Sequence, residues 1–154
     1  MPMIDVTLPE GALTQEKRDA LADRLTTTLL HWEGAGDIAF SRQITLVYFD
    51  ERPAGTVYVA GEPATEPRYR ALVTIPDGSM KDEKKEGLVD AITRDILEAA
   101  GEQGDEASFR AWVFIHEVPD GHWAGAGRIF RLRDIVALAR SGGDTVPERP
   151  GVPA

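Results

Sequence analysis

The feature that most restricts the fold of this chain is an internal repeat. Residues 6–30 match residues 73–97 at a constant offset of 67 positions, and residues 47–61 match residues 113–127 at an offset of 66. Because spacing and gap length agree over about sixty residues, the chain is predicted to contain two copies of one structural unit.

The pattern within each copy predicts a strand, a helix, a strand and a short hairpin strand. Leu21, Leu25 and Leu29 recur every four positions with charged residues between them, which is typical of an amphipathic helix. Thr14 is the predicted N-cap of that helix. The predicted strands cover residues 3–8, 43–49, 56–59, 70–75 and 110–117, and the predicted long helices cover residues 14–30 and 81–99.

Two such units indicate an α/β (α+β) fold with pseudo-two-fold symmetry. A βαβ crossover makes its two long strands parallel, so the pair predicts a four-stranded main sheet with both helices on one face. The other face is partly apolar, and we expect oligomerisation to cover it. The predicted boundaries are 1–61 for the first unit, 62–68 for a linker, 69–131 for the second unit, and 132–154 for a short helix with a loose Gly/Pro-rich tail.

Composition narrows the classes of function. The chain has 154 residues and no cysteine, and the lack of cysteine excludes disulfides and thiolate catalysis. Its net charge of −9 disfavours nucleic acid and anionic membrane surfaces as partners. The three histidines form no metal-binding pattern, and no glycine-rich phosphate loop leads from a strand into a helix. Without a signal-peptide pattern at its start, the chain is expected to be cytoplasmic.

Features that fail to repeat are the better functional candidates. Pro2 corresponds to Tyr69 in the second copy, and Trp123 corresponds to Val57 in the first. Once Met1 is removed, Pro2 carries a free secondary amine, and desolvation of that amine lowers its pKa toward the range of a general base. Glu51 and Glu117 occur in both copies and are therefore interpreted as structural.

Three segments carry a resemblance to the tautomerase superfamily. They are Pro2 at the start, Leu8-Pro9-Glu10-Gly11 followed by Thr14-Gln15-Glu16-Lys17, and Glu117-Val118-Pro119-Asp120-Gly121-His122-Trp123. The last resembles the end of 4-oxalocrotonate tautomerase. The two-unit length is similar to that of cis-3-chloroacrylic acid dehalogenase and malonate semialdehyde decarboxylase. The resemblance covers residues 2–131.

The resemblance implies a keto-enol tautomerase that acts on a small 2-keto acid or a related enol. It implies a homotrimer of two-unit chains, Pro2 as the general base, and no metal or organic cofactor. Substrate-binding roles are expected for Arg110, Trp123, Phe114, Arg70 and Arg128, with Phe114 in the same hydrophobic region as Trp123 and Arg70 approaching a Pro2 site across a subunit boundary.

The chain also departs from the family pattern. Ala12 and Ser79 stand where 4-oxalocrotonate tautomerase has an arginine after its first turn, and Leu46 and Trp112 stand where a second arginine opens the later strand. Arg110 is expected to replace that second arginine in part. His31 and His116 are weaker candidates, since histidines at the ends of helices and strands are commonly exposed.

Two alternatives stay open at this point. One is a hydratase or dehalogenase that uses the same proline on an unsaturated acid, which requires a water-activating acid not found at the position that the resemblance suggests. The other is a non-catalytic oligomeric protein that keeps the fold.

Overall fold

A computed structural model of the chain describes residues 2–143. Five helices and eight strands follow one another along these residues. The helices are α1 (Gln15–Glu33), α2 (Ala39–Gln43), α3 (Asp82–Ala100), α4 (Asp105–Ser108) and α5 (Leu132–Arg140). The strands are β1 (Met3–Pro9), β2 (Leu46–Arg52), β3 (Tyr58–Val59), β4 (Glu62–Pro63), β5 (Tyr69–Pro76), β6 (Ala111–Val118), β7 (Trp123–Gly125) and β8 (Arg128–Phe130).

The main sheet has four strands, as the repeat predicts, in the order β2-β1-β5-β6. Within each unit the two long strands are parallel, and the units meet through the antiparallel pair β1 and β5. The register places Met3 opposite Thr74 and Thr7 opposite Arg70. At the 67-residue offset, Met3 corresponds to Arg70 and Thr7 corresponds to Thr74, so each pair is the symmetry equivalent of the other. The pseudo-two-fold axis therefore passes between β1 and β5.

The long helices α1 and α3 pack together on one face of this sheet. Alternate residues of β1 point into the core, and the leucine stripe of α1 is buried against them. Thr14 caps α1 as predicted, since its hydroxyl accepts a hydrogen bond from the Lys17 amide at 3.3 Å. Gly34 ends α1 in the left-handed conformation, with a φ of 75° that glycine adopts without strain.

Each unit also repeats an ion pair between its helix and its second strand. Arg18 donates to Glu51 at 2.7 Å, and its counterpart Lys85 donates to Glu117 at 3.0 Å. These contacts agree with the structural role predicted for the two glutamates.

Several connections differ from the sequence prediction. The predicted strand over residues 43–49 starts only at Leu46, because residues before it form the short helix α2. The linker contains β4, which pairs with β3 as a hairpin, and the segment between the second long helix and β6, for which no element is predicted, contains α4. Elements of two to five residues are too short to show a clear hydrophobic periodicity, so the sequence pattern predicts them poorly. Helix α5 lies where predicted, whereas residues 144–154 of the predicted loose tail lie outside the described residues.

The sheet face opposite the helices exposes apolar side chains. Tyr48 on β2 is 49% exposed, and Phe114 on β6 is 46% exposed. Asp5 and Leu72 complete this row across the sheet by register. Among the described residues no helix is long and apolar enough to span a membrane.

Gly87, in the middle of α3, lies under the indole ring of Trp32 from α1. A Cβ atom at this position would collide with three atoms of that ring. We expect Gly87→Ala to lower the free energy of unfolding by about 1–3 kcal/mol, because the packed ring must move. In a Trp32→Ala background the same change should instead stabilise the protein by about 0.5–1 kcal/mol, since alanine favours the helix. Urea unfolding of the wild type, the two single variants and the double variant measures both changes in the free energy of unfolding. Stabilisation by Gly87→Ala in both backgrounds would contradict the packing argument.

Candidate active site

Pro2 lies at the end of the sheet where the first unit starts and the second unit ends. Its side chain is fully buried, and its carbonyl accepts a hydrogen bond from the Leu46 amide at 3.3 Å. Helix α1 returns the chain to this end of the sheet, so Glu33 at its last residue lies in the same region. The antiparallel β1–β5 pairing then adds Thr74 from the second unit.

A cavity of about 600 Å³ opens beside Pro2. The β7–β8 hairpin supplies Trp123 and Arg128, and the loop before it supplies His122. The remaining lining is mostly apolar and includes Met3, Phe40, Ile44, Leu46, Val118, Phe130 and Leu138. We call this space the Pro2 cavity.

Arg128 is the cationic side chain among the described residues that line the Pro2 cavity. Its guanidinium group lies 5.3 Å from the centre of the Phe130 ring, within the range of a cation–π contact. In an apolar, low-dielectric cavity a guanidinium attracts a carboxylate or enolate oxygen more strongly than it does in water.

Pro2 also lines a second, smaller cavity of about 300 Å³, which contains Glu33. Helices α1 and α5 and the segment 35–44 form most of its wall. Burial raises the pKa of the Glu33 carboxyl above its ordinary value, because desolvation disfavours the charged form. The structure therefore places an acid of raised pKa and the proline around one space.

Helix α5 covers this end of the molecule and has no counterpart in the first unit. Ile135 and Leu138 of α5 pack with Phe130, Phe40 and Trp123 in a small second core. Asp120 ties the helix to the preceding turn, since its carboxylate accepts hydrogen bonds from the Leu132 amide at 2.8 Å and from Arg131 at 3.1 Å. The amide and then the guanidinium hold the pKa of Asp120 below its ordinary value.

The candidate residues predicted from the sequence do not form one site but lie in two different cavities and on the open sheet face. Pro2, Trp123 and Arg128 line one cavity. Arg70 and Arg110 line a different cavity of about 680 Å³, at the opposite end of the β1–β5 pair. Phe114 lies on the open sheet face, with its ring 6.4 Å from that of Trp112, and does not share a cavity with Trp123.

The two weaker histidine candidates lie outside the cavities described here. His31 is exposed on α1 and packs edge-on against Trp32 at 5.3 Å between ring centres. His116 is exposed on β6. Within residues 2–143 no group of three or more histidine and acidic side chains is arranged to hold a metal ion.

Glu33 is the residue of this region that the sequence reasoning missed as functional. In the sequence it opens the segment Glu33-Gly34-Ala35-Gly36, whose glycines indicate the end of a helix. The repeat carried the missing signal, because the position equivalent to Glu33 in the second copy is Ala100. An acidic residue found in one copy only fits the same criterion that selected Pro2.

One known family matches part of this chain in sequence. The family model described as tautomerase enzyme matches residues 72–133. No curated protein matches the sequence of this chain.

Solved structures with the same fold include a member of the cis-3-chloroacrylic acid dehalogenase family, at 22% identity and a TM-score of 0.72, covering 93% of this chain and 99% of that one. A fused 4-oxalocrotonate tautomerase (4-OT), described as an asymmetric trimer, has 19% identity and a TM-score of 0.69, with 82% and 94% covered. The protein Pt0534, inactivated by 2-oxo-3-pentynoate, has 23% identity and a TM-score of 0.69 over the same shares.

The family match lies in the second unit, and the shared fold extends over both units. These likenesses confirm the fold that the repeat predicted. The second unit of this chain therefore matches the tautomerase family in sequence, and the whole chain has the fold of the fused, two-unit tautomerase structures.

Proposed function

We propose that this protein is a cofactor-independent tautomerase in which Pro2, freed by removal of Met1, moves a proton between oxygen and carbon of a small 2-keto acid. The observation that carries the proposal is the burial of Pro2 beside an apolar cavity that also contains Trp123 and Arg128. Low polarity around a secondary amine favours its neutral form, which is the form that accepts a proton.

The proposed reaction uses three groups of the Pro2 cavity. The proline nitrogen takes the proton of the enol hydroxyl and returns it to the neighbouring carbon, so that the C=C bond becomes C–C and the C–O bond becomes C=O. Arg128 holds the carboxylate of the substrate, and Trp123 forms an apolar wall that excludes water. Since one arginine lines this cavity, we expect the monocarboxylate phenylenolpyruvate to react faster than the dicarboxylate 2-hydroxymuconate.

The test uses the electrophile 2-oxo-3-pentynoate, which inactivates the structurally similar Pt0534. A neutral amine adds to the alkyne carbon conjugated with the ketone, forming an N–C bond while the proton moves to the adjacent carbon. We therefore expect one adduct per chain, with the full mass of the reagent, on the peptide that begins with Pro2. A form that carries extra residues ahead of Pro2 has an amide there and should stay unlabelled. Equal labelling of both forms, or labelling elsewhere, would overturn the proposal.

One observation favours a second candidate, a hydratase. Glu33 lies in a cavity that Pro2 shares and could serve as the water-activating acid that the sequence analysis did not find. A hydratase would add water across the alkyne of 2-oxo-3-pentynoate and release 2,4-dioxopentanoate instead of forming an adduct. Chromatography of the same incubation therefore separates the two candidates.

We also propose a homotrimer, supported by the fused 4-OT neighbours solved as trimers and by the exposed rings of Tyr48 and Phe114 on the open sheet face. A charge placed in a covered apolar face costs several kcal/mol. We expect Phe114→Glu to raise the dissociation constant of the trimer at least about tenfold. Light scattering after size exclusion measures the change. Ala20→Glu, which adds the same charge on the exposed side of α1, should leave the mass unchanged; a trimeric Phe114→Glu protein would contradict the model.

A further inference from the structure

The cavity that contains Arg70 and Arg110 is the pseudo-symmetric counterpart of the Pro2 cavity. Tyr69 occupies the position equivalent to Pro2, and Thr7 replaces Thr74. Apart from Arg68, each lining residue has its equivalent, at an offset of 66 or 67, in the lining of the Pro2 cavity. Duplication therefore produced two comparable cavities in one chain, and we call this one the Tyr69 cavity.

The two cavities differ most in charge. Arg52, Arg70 and Arg110 line the Tyr69 cavity where the equivalent residues of the Pro2 cavity are Val118, Met3 and Ile44. Arg68 adds a fourth guanidinium. In a chain with a net charge of −9, four arginines around one space of about 680 Å³ create a local region of positive potential.

Two of these arginines are already neutralised by carboxylates. Arg110 bonds to Glu66 at 2.9 Å and to Glu102 at 2.7 Å, and Arg52 bonds to Asp50 at 2.7 Å. These pairs hold their side chains in place but leave them little net charge to offer a ligand.

Arg68 and Arg70 keep their charge available. Within the part of the chain that the structure describes, neither has a carboxylate within ion-pair distance. Arg70 donates only to the hydroxyl of Thr7 at 3.3 Å. The Nε atom of Arg68 is buried and has no hydrogen-bond partner there. A buried donor without a partner is costly, and an anion in the cavity would supply the missing acceptor.

The Tyr69 cavity lacks the base that the Pro2 cavity has. The Tyr69 hydroxyl donates to Glu102 at 3.1 Å. Burial, and then the charge of Glu102, raises the pKa of this hydroxyl well above its ordinary value, so it stays protonated. A ligand held here would have no proton acceptor equivalent to the Pro2 amine.

We propose that the Tyr69 cavity is a second ligand site, which binds an aromatic monocarboxylate without turning it over. Arg68 and Arg70 hold the carboxylate. The exposed rings of Tyr58 and Phe109, which are 61% and 77% exposed at the cavity wall, pack against the aromatic body. This site lies beyond the proposed catalytic function and does not depend on it.

Calorimetric titration of the full-length protein with 2-naphthoate tests the proposal. The titration uses Arg128→Ala protein, so that carboxylate binding in the Pro2 cavity is weakened. In this background we expect one site per chain, with affinity at least about tenfold weaker when Arg68→Ala or Arg70→Ala is added. The neutral amide 2-naphthamide should bind at least about tenfold more weakly than the acid, since it lacks the charge. In protein that keeps Arg128, the site that depends on Arg68 and Arg70 should have the same affinity as in the Arg128→Ala background.

Further variants guard against loss of fold. Arg70→Lys keeps a positive charge and should bind with an affinity between those of wild type and Arg70→Ala. Thermal melting confirms that each variant is folded, and Arg94→Ala, on the exposed side of α3, serves as the matched arginine control. An affinity undiminished by Arg68→Ala and Arg70→Ala in the folded Arg128→Ala background, or no binding at all in that background, would overturn the proposal.

Discussion

Replacement of Pro2 by alanine is expected to lower kcat/KM for ketonisation of phenylenolpyruvate by about 10²- to 10⁴-fold, the usual contribution of a positioned general base. Alanine leaves a primary amine at the start of the chain, but without the rigid ring that orients the nitrogen toward the cavity. The ring is fully buried between two cavities, so its removal also admits water and favours the protonated amine. Steady-state rates at several pH values measure the loss.

The form with extra residues ahead of Pro2 provides the control. It keeps every side chain of the cavity and lacks only the free amine, so it should lose activity to a similar extent. Intact mass measured on the wild-type protein shows whether Met1 has been removed. If Pro2→Ala and the form with extra residues both kept more than about a tenth of the wild-type rate, general-base catalysis by the Pro2 amine would be ruled out.

Replacement of Glu33 by glutamine is expected to shift the acidic limb of the kcat/KM profile to lower pH, by about one to two units. A carboxylate near the Pro2 amine favours the charged amine and so raises its pKa. Removing that charge lowers the pKa of the amine, and Pro2 then remains a neutral base in more acidic solution. Glu86→Gln, on the exposed surface of α3, should leave the profile unchanged. An unmoved limb, or a move to higher pH, would show that Glu33 does not act on Pro2.

The same variant has a predicted effect on stability. Burial raises the pKa of Glu33 in the folded state above its value of 4.5 in the unfolded chain, so folding is weakened as the pH rises through that interval. Glutamine has no charge to bury. We therefore expect Glu33→Gln to melt at a higher temperature than wild type near about pH 8 and at the same temperature below about pH 4.

Much of the architecture could be predicted because it is encoded locally and twice. The leucine spacing of α1 and the turns after β1 and β5 are properties of neighbouring residues, and both recur in the second copy. The cap at Thr14 is local too, although its counterpart Lys81 makes no side-chain cap. Most elements of two to five residues, such as α2, α4 and β4, escaped prediction, whereas β3 lies within the predicted strand over residues 56–59. Helix α2, for example, is stabilised by contacts such as the hydrogen bond from Thr45 to the Ser41 carbonyl, inside the folded chain.

The candidate site was predictable only in part. Pro2 and Trp123 stand out because they break the repeat, and both line the same cavity. Glu33 breaks the repeat as well, but its place at the end of a helix offered a simpler explanation. The roles in substrate binding assigned to Arg70, Arg110, Arg128, Trp123 and Phe114 remain predictions.

The sequence by itself determined that this chain is a doubled βαβ unit and that its start differs from the start of its second copy. Only the tertiary structure decided which residues share a cavity. The antiparallel β1–β5 register joins the beginning of each unit to the end of the other, so Pro2 meets Trp123 and Arg128, while Arg70 and Arg110 meet Tyr69. Sequence offsets identify equivalent positions, but pairing between strands about 67 residues apart is set by long-range packing, which no local pattern records.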